Sequence, residues 1–297
     1  MSDLFNDQAR ADFQRARFKA FMNRVWGTLS GQHSMLLSYD EIKEKLHVGG
    51  PIYRGVKTVL VDEIAGSLNR YHEFDRVFLP ASDKLAERWQ SVNRAFYQDI
   101  SLPPVVLYKV GQVYFVVDGH HRVSVAREQG QIYIEAEVRE CATRVNITPN
   151  IKPEDLVILE NKVNFLERTS IDSLIPDANI KLNIPDGFDR MLEHIAVHRY
   201  FMGLDLKRDI SEEDAIRHWY ETVYMPIINV IRATDILGEF PGKSEGDLYL
   251  WVLDHQHYLQ EEQGVPLQPP EDAARKFLQD DIKKKQVRKP TLGRKKK

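Results

Sequence analysis

Residues 116–127, V-V-D-G-H-H-R-V-S-V-A-R, constrain this chain more than any other stretch. An apolar, β-branched run ends at Asp118-Gly119, and a helix-forming segment follows that Gly130 can close. The pattern predicts strand, tight turn and helix, with two histidines and an arginine at the helix start. Gly119 lacks a Cβ, so the backbone there can turn sharply and come close to a ligand. The first N–H groups of a helix have no internal partners, and the helix dipole adds positive charge, so such an end accepts anions. Arg122 can grip a phosphate with two prongs. His120 and His121 can donate hydrogen bonds and carry partial charge near neutral pH. Asp118 can cap the helix or help hold a metal ion that accompanies phosphates. With Ser124 these form the candidate phosphate-binding set. The plainer alternative is a capped helix with polar residues on its surface.

The flanking pattern reads as an α/β unit over residues 52–141. Residues 56–61, 105–110, 113–117 and 132–138 are β-branched and predict strands, the middle two joined at Gly111-Gln112. Residues 64–71 read as a short helix or turn. Ser82 is placed to cap a helix to about residue 99, with Leu85, Trp89, Val92 and Phe96 on one face. Upstream, residues 3–29 predict a helix with Phe13, Ala16, Ala20, Phe21 and Val25 near helical spacing and arginines and a lysine throughout. Such a helix can lie on a membrane surface, but its commoner role is to pack on its own protein with the arginines outward. Ser38 and Glu41 predict a capping box for a short helix to residue 46, and Gly49-Gly50-Pro51 then marks a boundary.

Residues 53–140 resemble the ParB/sulfiredoxin superfamily. The resemblance rests on V-D-E-I (61–64), L-P-P-V-V-L-Y (102–108) and V-D-G-H-H-R-V-S-V-A (117–126), in that order. It covers about 30% of the chain and implies a nucleotide cofactor, ATP/ADP or CTP with Mg²⁺, held by the segment after the glycine. Sulfiredoxins carry a reactive cysteine directly before the His-Arg of this loop. Here His120 stands there, and the single cysteine, Cys141, lies beyond the next strand, so sulfiredoxin chemistry is not expected. ParB proteins carry G-E-R-R in the loop and a helix-turn-helix after it, and neither is present. The D-G-H-H-R form leans toward the branches of the superfamily that resemble free-serine kinases or have no characterised activity. A phosphotransferase needs a base, for which Glu63 and Glu73 are candidates. The commoner outcome for such residues is an exposed surface carboxylate.

The C-terminal half is mostly helical. Residues 186–262 resemble a segment of uncharacterised bacterial proteins, carrying H-I-A-V-H-R-Y-F, W-Y-E-T-V-Y-M-P and D-L-Y-L-W-V-L-D-H, with no activity implied. Ser211 and Ser244 are placed as helix caps, and Pro226 should kink or split the segment it interrupts. His194 and His198 share one helical face and could bind a metal if His255 or Glu193 came close; a structural pair is the commoner outcome. The aromatics Trp219, Tyr220, Tyr224, Tyr249, Trp251 and Tyr258 predict core packing.

The net charge of −3 hides an asymmetry. Residues 283–297 hold nine basic residues (Lys283, Lys284, Lys285, Arg288, Lys289, Arg294, Lys295, Lys296 and Lys297) and no acid, which leaves the rest at −12. That tail is either a solvated disordered end or a contact for nucleic acid. No apolar run is long enough for a membrane span, no signal peptide is evident, and one cysteine excludes an intrachain disulfide, so a cytoplasmic location is the expectation.

The expected class is α+β: a basic helix and linker at 1–49, a ParB/sulfiredoxin-like α/β domain at 50–142, an all-α domain at 150–264, and a Pro-containing exit with a disordered basic tail at 265–297. The expected function is nucleotide binding with a regulatory role and slow nucleotide hydrolysis. The alternatives are a phosphotransferase acting on a small molecule or protein, and a DNA-associated ParB-like factor. A homodimer stays open.

Overall fold

A computed structural model of the chain describes residues 2–30 and 35–288. It divides into two units, Met1–Glu160 and Asn161–Lys297.

The first unit is built on six strands: β1 (Leu37–Ser38), β2 (Pro51–Leu60), β3 (Ile64–Ser67), β4 (Val105–Val110), β5 (Val113–Asp118) and β6 (Tyr133–Cys141). They form one mixed sheet in the order β1-β3-β5-β4-β6-β2. The β4–β5 hairpin turns at Gly111 with φ of 57°, as its sequence predicts. Helices α1 (Ser2–Ser30), α2 (Tyr39–Lys45), α3 (Ala86–Tyr97) and α4 (His120–Glu128) belong to this unit. Its core joins Phe13 and Trp89 from the helices to Leu107 and Val116 from the sheet.

Several sequence expectations fail in this unit. Residues 64–71 hold strand β3 rather than a helix. Its four residues are all buried, and it runs parallel to β5 with Ser67 beside Val116. Pairing decides this, because the Phe115 ring lies where a side chain at Gly66 would be; a Cβ there would sit 2.2 Å from Phe115 Cδ1. Ser82 makes no side-chain cap, and a short 3₁₀ turn precedes α3. Gly49-Gly50-Pro51 is no boundary either: Gly49 N–H donates to the Ala142 carbonyl at 2.9 Å, and Pro51 pairs directly with Cys141 in the sheet.

Helix α1 is likewise part of this unit and not a separate segment. Ala9, Phe13, Ala16 and Ala20 are buried, and α1 packs along α3. The wholly buried Asp12 carboxylate pins it, accepting from Tyr97 Oη at 2.5 Å, Asn93 Nδ2 at 2.9 Å, Gln129 Nε2 at 3.1 Å and Arg15 at 2.7 Å. Phe21 and Val25, expected on the packed face, are exposed.

Helix α5 (Pro153–Thr169) runs across the division between the units. The second unit continues with α6 (Ile171–Leu174), α7 (Gly187–Leu206), α8 (Glu212–Trp219), α9 (Met225–Ala233), α10 (Glu245–Gln263) and α11 (Pro270–Arg288). Pro226 does not split its segment: α8 passes into α9 through a π turn at Tyr220–Tyr224, where Met225 N–H bonds the Tyr220 carbonyl, and this bulge directly before Pro226 accommodates the N–H that proline lacks. Ser244 and Asp247 form a reciprocal capping box for α10, and Gly264 ends it in the left-handed region. Trp219 Nε1 donates to the buried Tyr249 hydroxyl at 3.1 Å, and Tyr224 packs on both rings. Tyr258 departs from this core, at 54% exposed.

The expected exit after residue 265 is instead helix α11, packed against α9 and α10 through the buried Ala273, Ala274 and Leu278. Pro270 opens that helix, and Glu271 and Asp272 suit its positive end. Lys283, Lys284, Lys285 and Arg288 are its last residues, so the basic run begins in a helix; Lys289, Arg294, Lys295, Lys296 and Lys297 lie outside the described residues. The sheet and these helices together make the chain α+β. Among the described residues no helix is long and apolar enough to cross a membrane.

Candidate functional site

Strand β5 delivers the chain to Gly119, which takes φ of 99° and serves as N-cap of α4. A Cβ there would lie 2.6 Å from Val105 Cγ1 and 2.9 Å from Arg122 Nη2. Both the dihedral and the space therefore call for glycine. No side chain caps α4. Asp118, expected as a cap, instead accepts from Arg122 Nη2 at 2.6 Å. Arg122 also donates to the carbonyls of Pro103 and Pro104. Its guanidinium is thus anchored as a wall, and is not the unoccupied two-pronged donor that the sequence suggests.

His120 and His121 are buried, against expectation for a charged pair at a helix start. His120 Nε2 hydrogen-bonds Ser67 Oγ at 2.8 Å, and its ring stacks on Phe74. The Phe74 ring meets His121 edge-on. Burial, then the charge of Arg70, pushes the His120 pKa down to about 4; burial, then Arg88 and Arg70, does the same to His121. Both rings are neutral at pH 7, so the partial charge expected of them is absent. The buried Nδ1 of His121 has no hydrogen-bond partner among the described residues. A buried polar atom left unpaired costs about 1–3 kcal/mol, and such an atom calls for an explanation.

Above these residues lies a cavity of about 400 Å³ lined by Arg70, Arg88, Asp118, Gly119, both histidines and Arg122, among others. Arg70 follows the end of β3, and Arg88 sits in the first turn of α3. Neither stands out in the sequence, since each lies far along the chain from the loop. Arg88 has no carboxylate partner among the described residues, and Arg70 meets Glu73 only at 3.5 Å. Three guanidiniums against the carboxylates of Asp118 and Glu73 leave net positive charge facing the uncapped end of α4. These donors suit a phosphate. They do not suit a cation held by the protein, because Asp118 is the sole carboxylate lining the cavity and is bound to Arg122. A magnesium ion would be carried in on the phosphates themselves.

The remaining candidates disperse. Ser124 faces the core and accepts from Trp89 Nε1 at 2.9 Å, so it is not part of the cavity. Glu63 lies at the wrong end of the sheet. It precedes β3, whose first residue pairs with Tyr114 near the start of β5, and its neighbour Asp62 bonds Arg127 near the far end of α4. Glu73 lies on the correct side, tied to Arg70. The Cys141 thiol is buried, bonded to Tyr39 Oη, and raised in pKa by that burial. It pairs with Val110, at the end of β4 remote from Asp118. In the second unit, His194 bonds Tyr249 at 3.1 Å while His198 bonds His218 at 2.7 Å. His255 turns to Asp280. The histidine pair therefore does not converge, and among the described residues no three metal-ligating side chains gather.

No family model and no curated protein matches the chain. Among solved structures, the C2221 form of a Pnob8-like ParB-N domain aligns over 78% of this chain and 99% of that one, at 10% identity and a TM-score of 0.22. At that TM-score the alignment carries no argument about fold.

Proposed function

We propose that the chain is a ParB/sulfiredoxin-like nucleotide-binding protein that holds the phosphates of its ligand in the cavity at the start of α4. The observation that carries this reading is the meeting of Arg88, Arg70 and His121, whose buried Nδ1 has no partner among the described residues, around a cavity at an uncapped helix start. A phosphate oxygen would pair with the guanidiniums and with the backbone N–H groups, and the neutral His121 could donate from Nδ1. The sequence order of V-D-E-I, L-P-P-V-V-L-Y and V-D-G-H-H-R supports a nucleotide over a bare anion. A regulatory role is favoured over phosphate transfer, because Glu63 is remote from the cavity and Glu73 does not line it.

The test is calorimetric titration of the full chain with ATP, ADP, CTP and GTP, each with Mg²⁺. Saturable binding of at least one is expected, weakened about tenfold or more by Arg88→Ala, the loss of a charge-assisted hydrogen bond. Absence of saturable binding across the panel, or equal affinity in the variant, would refute it.

A further inference from the structure

Helix α1 has two apolar faces. Its inner face, Ala9, Phe13, Ala16 and Ala20, is buried against its own unit. Phe18, Phe21, Val25 and Leu29 are exposed, Phe18 at 65% and Leu29 at 74%. At about 100° per residue these four fall within an arc of about 80° on the opposite side of the helix, over a length of about 16 Å. Trp26, also exposed, extends the arc.

The borders of this outer face are basic. Arg10, Arg17 and Arg24, seven apart, run along one edge, and Arg15 and Lys19 along the other. The acids that pair with them do not stand on the outer face. Asp12 and Glu128, which meet Arg15 and Lys19, have buried side chains, and Asp83, which meets Arg17, lies beyond the helix. Arg10 and Arg24 have no carboxylate partner among the described residues. The exposed Asp7 shares the outer face but lies about three turns before Phe18; along Phe18–Leu29 a second copy of α1 would set basic edges against basic edges. Phenylalanine and tryptophan between rows of arginine and lysine match what an anionic lipid surface takes up: rings enter the headgroup boundary while the cations meet phosphate.

We propose that the outer face of α1 docks this protein on anionic membrane surfaces. This is independent of the nucleotide cavity. The probe is flotation of the full chain with vesicles of phosphatidylcholine alone or with about 30% phosphatidylserine, in about 0.05 M and 0.5 M salt. Binding to the anionic vesicles, weaker in high salt, is expected. Phe18→Ser/Phe21→Ser should lower it about tenfold or more, with unchanged circular dichroism because these rings face outward. Val25→Ser/Leu29→Ser gives the same reading should the first variant fail to fold. The proposal is overturned by lack of flotation with anionic vesicles, or by flotation that both variants retain. It is equally overturned if light scattering shows a dimer that these substitutions dissociate, since a second copy would then cover the face.

Discussion

Replacing Gly119 by alanine separates two costs that the structure distinguishes. Gly119 and Gly130 flank the same helix, and both have positive φ, 99° and 68°. An alanine in the left-handed region costs about 1–2 kcal/mol at either site. Only at Gly119 does the new methyl meet atoms: Val105 Cγ1 at 2.6 Å and Cβ at 2.9 Å, on a buried strand residue that cannot swing away. At Gly130 nothing lies within 4 Å. Overpacking of this kind adds about 1–3 kcal/mol. Gly119→Ala should therefore destabilise the first unit by about 1–3 kcal/mol more than Gly130→Ala. Urea denaturation of the full chain, followed by tryptophan fluorescence and circular dichroism with the transitions of the two units fitted separately, measures the difference. A difference within about 0.5 kcal/mol, the range of a neutral substitution, would refute the packing argument.

Ser124→Ala should destabilise the first unit by about 1–3 kcal/mol by leaving Trp89 Nε1 without its acceptor, yet leave nucleotide affinity unchanged in the same titration. Asp12→Ala should cost about 3 kcal/mol, since Tyr97, Asn93 and Gln129 would lose a common buried acceptor; a denaturation midpoint unmoved from the parent would contradict the anchoring of α1. Stability should also fall with acid. His120 and His121 ionise near 4 when folded and near 6.5 when unfolded, so the unfolded chain binds more protons between those values. Their contribution is complete above pH 6.5 and is lost as pH falls toward 4. A denaturation midpoint of the first unit that stays flat from pH 7.5 to 4.5 would contradict this.

The site was legible where local chemistry decides the structure. A β-branched run, a glycine and a helix-forming segment needed no distant partner to be read as strand, turn and helix. The hairpin at Gly111 and the capping box at Ser244 were legible for the same reason. The misreadings have tertiary causes. Strand β3 is a four-residue stretch, I-A-G-S, with no alternation, and only its slot beside β5 makes it a strand. Ser124 sits among loop residues in sequence, but one further helical turn aims it at Trp89. The neutrality of both histidines follows from burial under Phe74, which no motif encodes. Arg70 and Arg88 reach the cavity only because β3 ends and α3 begins beside the start of α4. The second face of α1 was hidden for a different reason: its alanines and its exposed aromatics each fit helical spacing, and the spacing alone does not say which set packs.

The most direct test of the phosphate cavity reads His121 itself. In protein labelled with ¹⁵N in its histidines, addition of the tightest-binding nucleotide with Mg²⁺ should shift the His121 Nδ1 resonance, assigned by comparison with His121→Gln, because that buried nitrogen gains the partner it lacks. The exposed His257 resonance should stay in place. A His121 resonance unmoved at saturating nucleotide would place the ligand elsewhere and contradict the account.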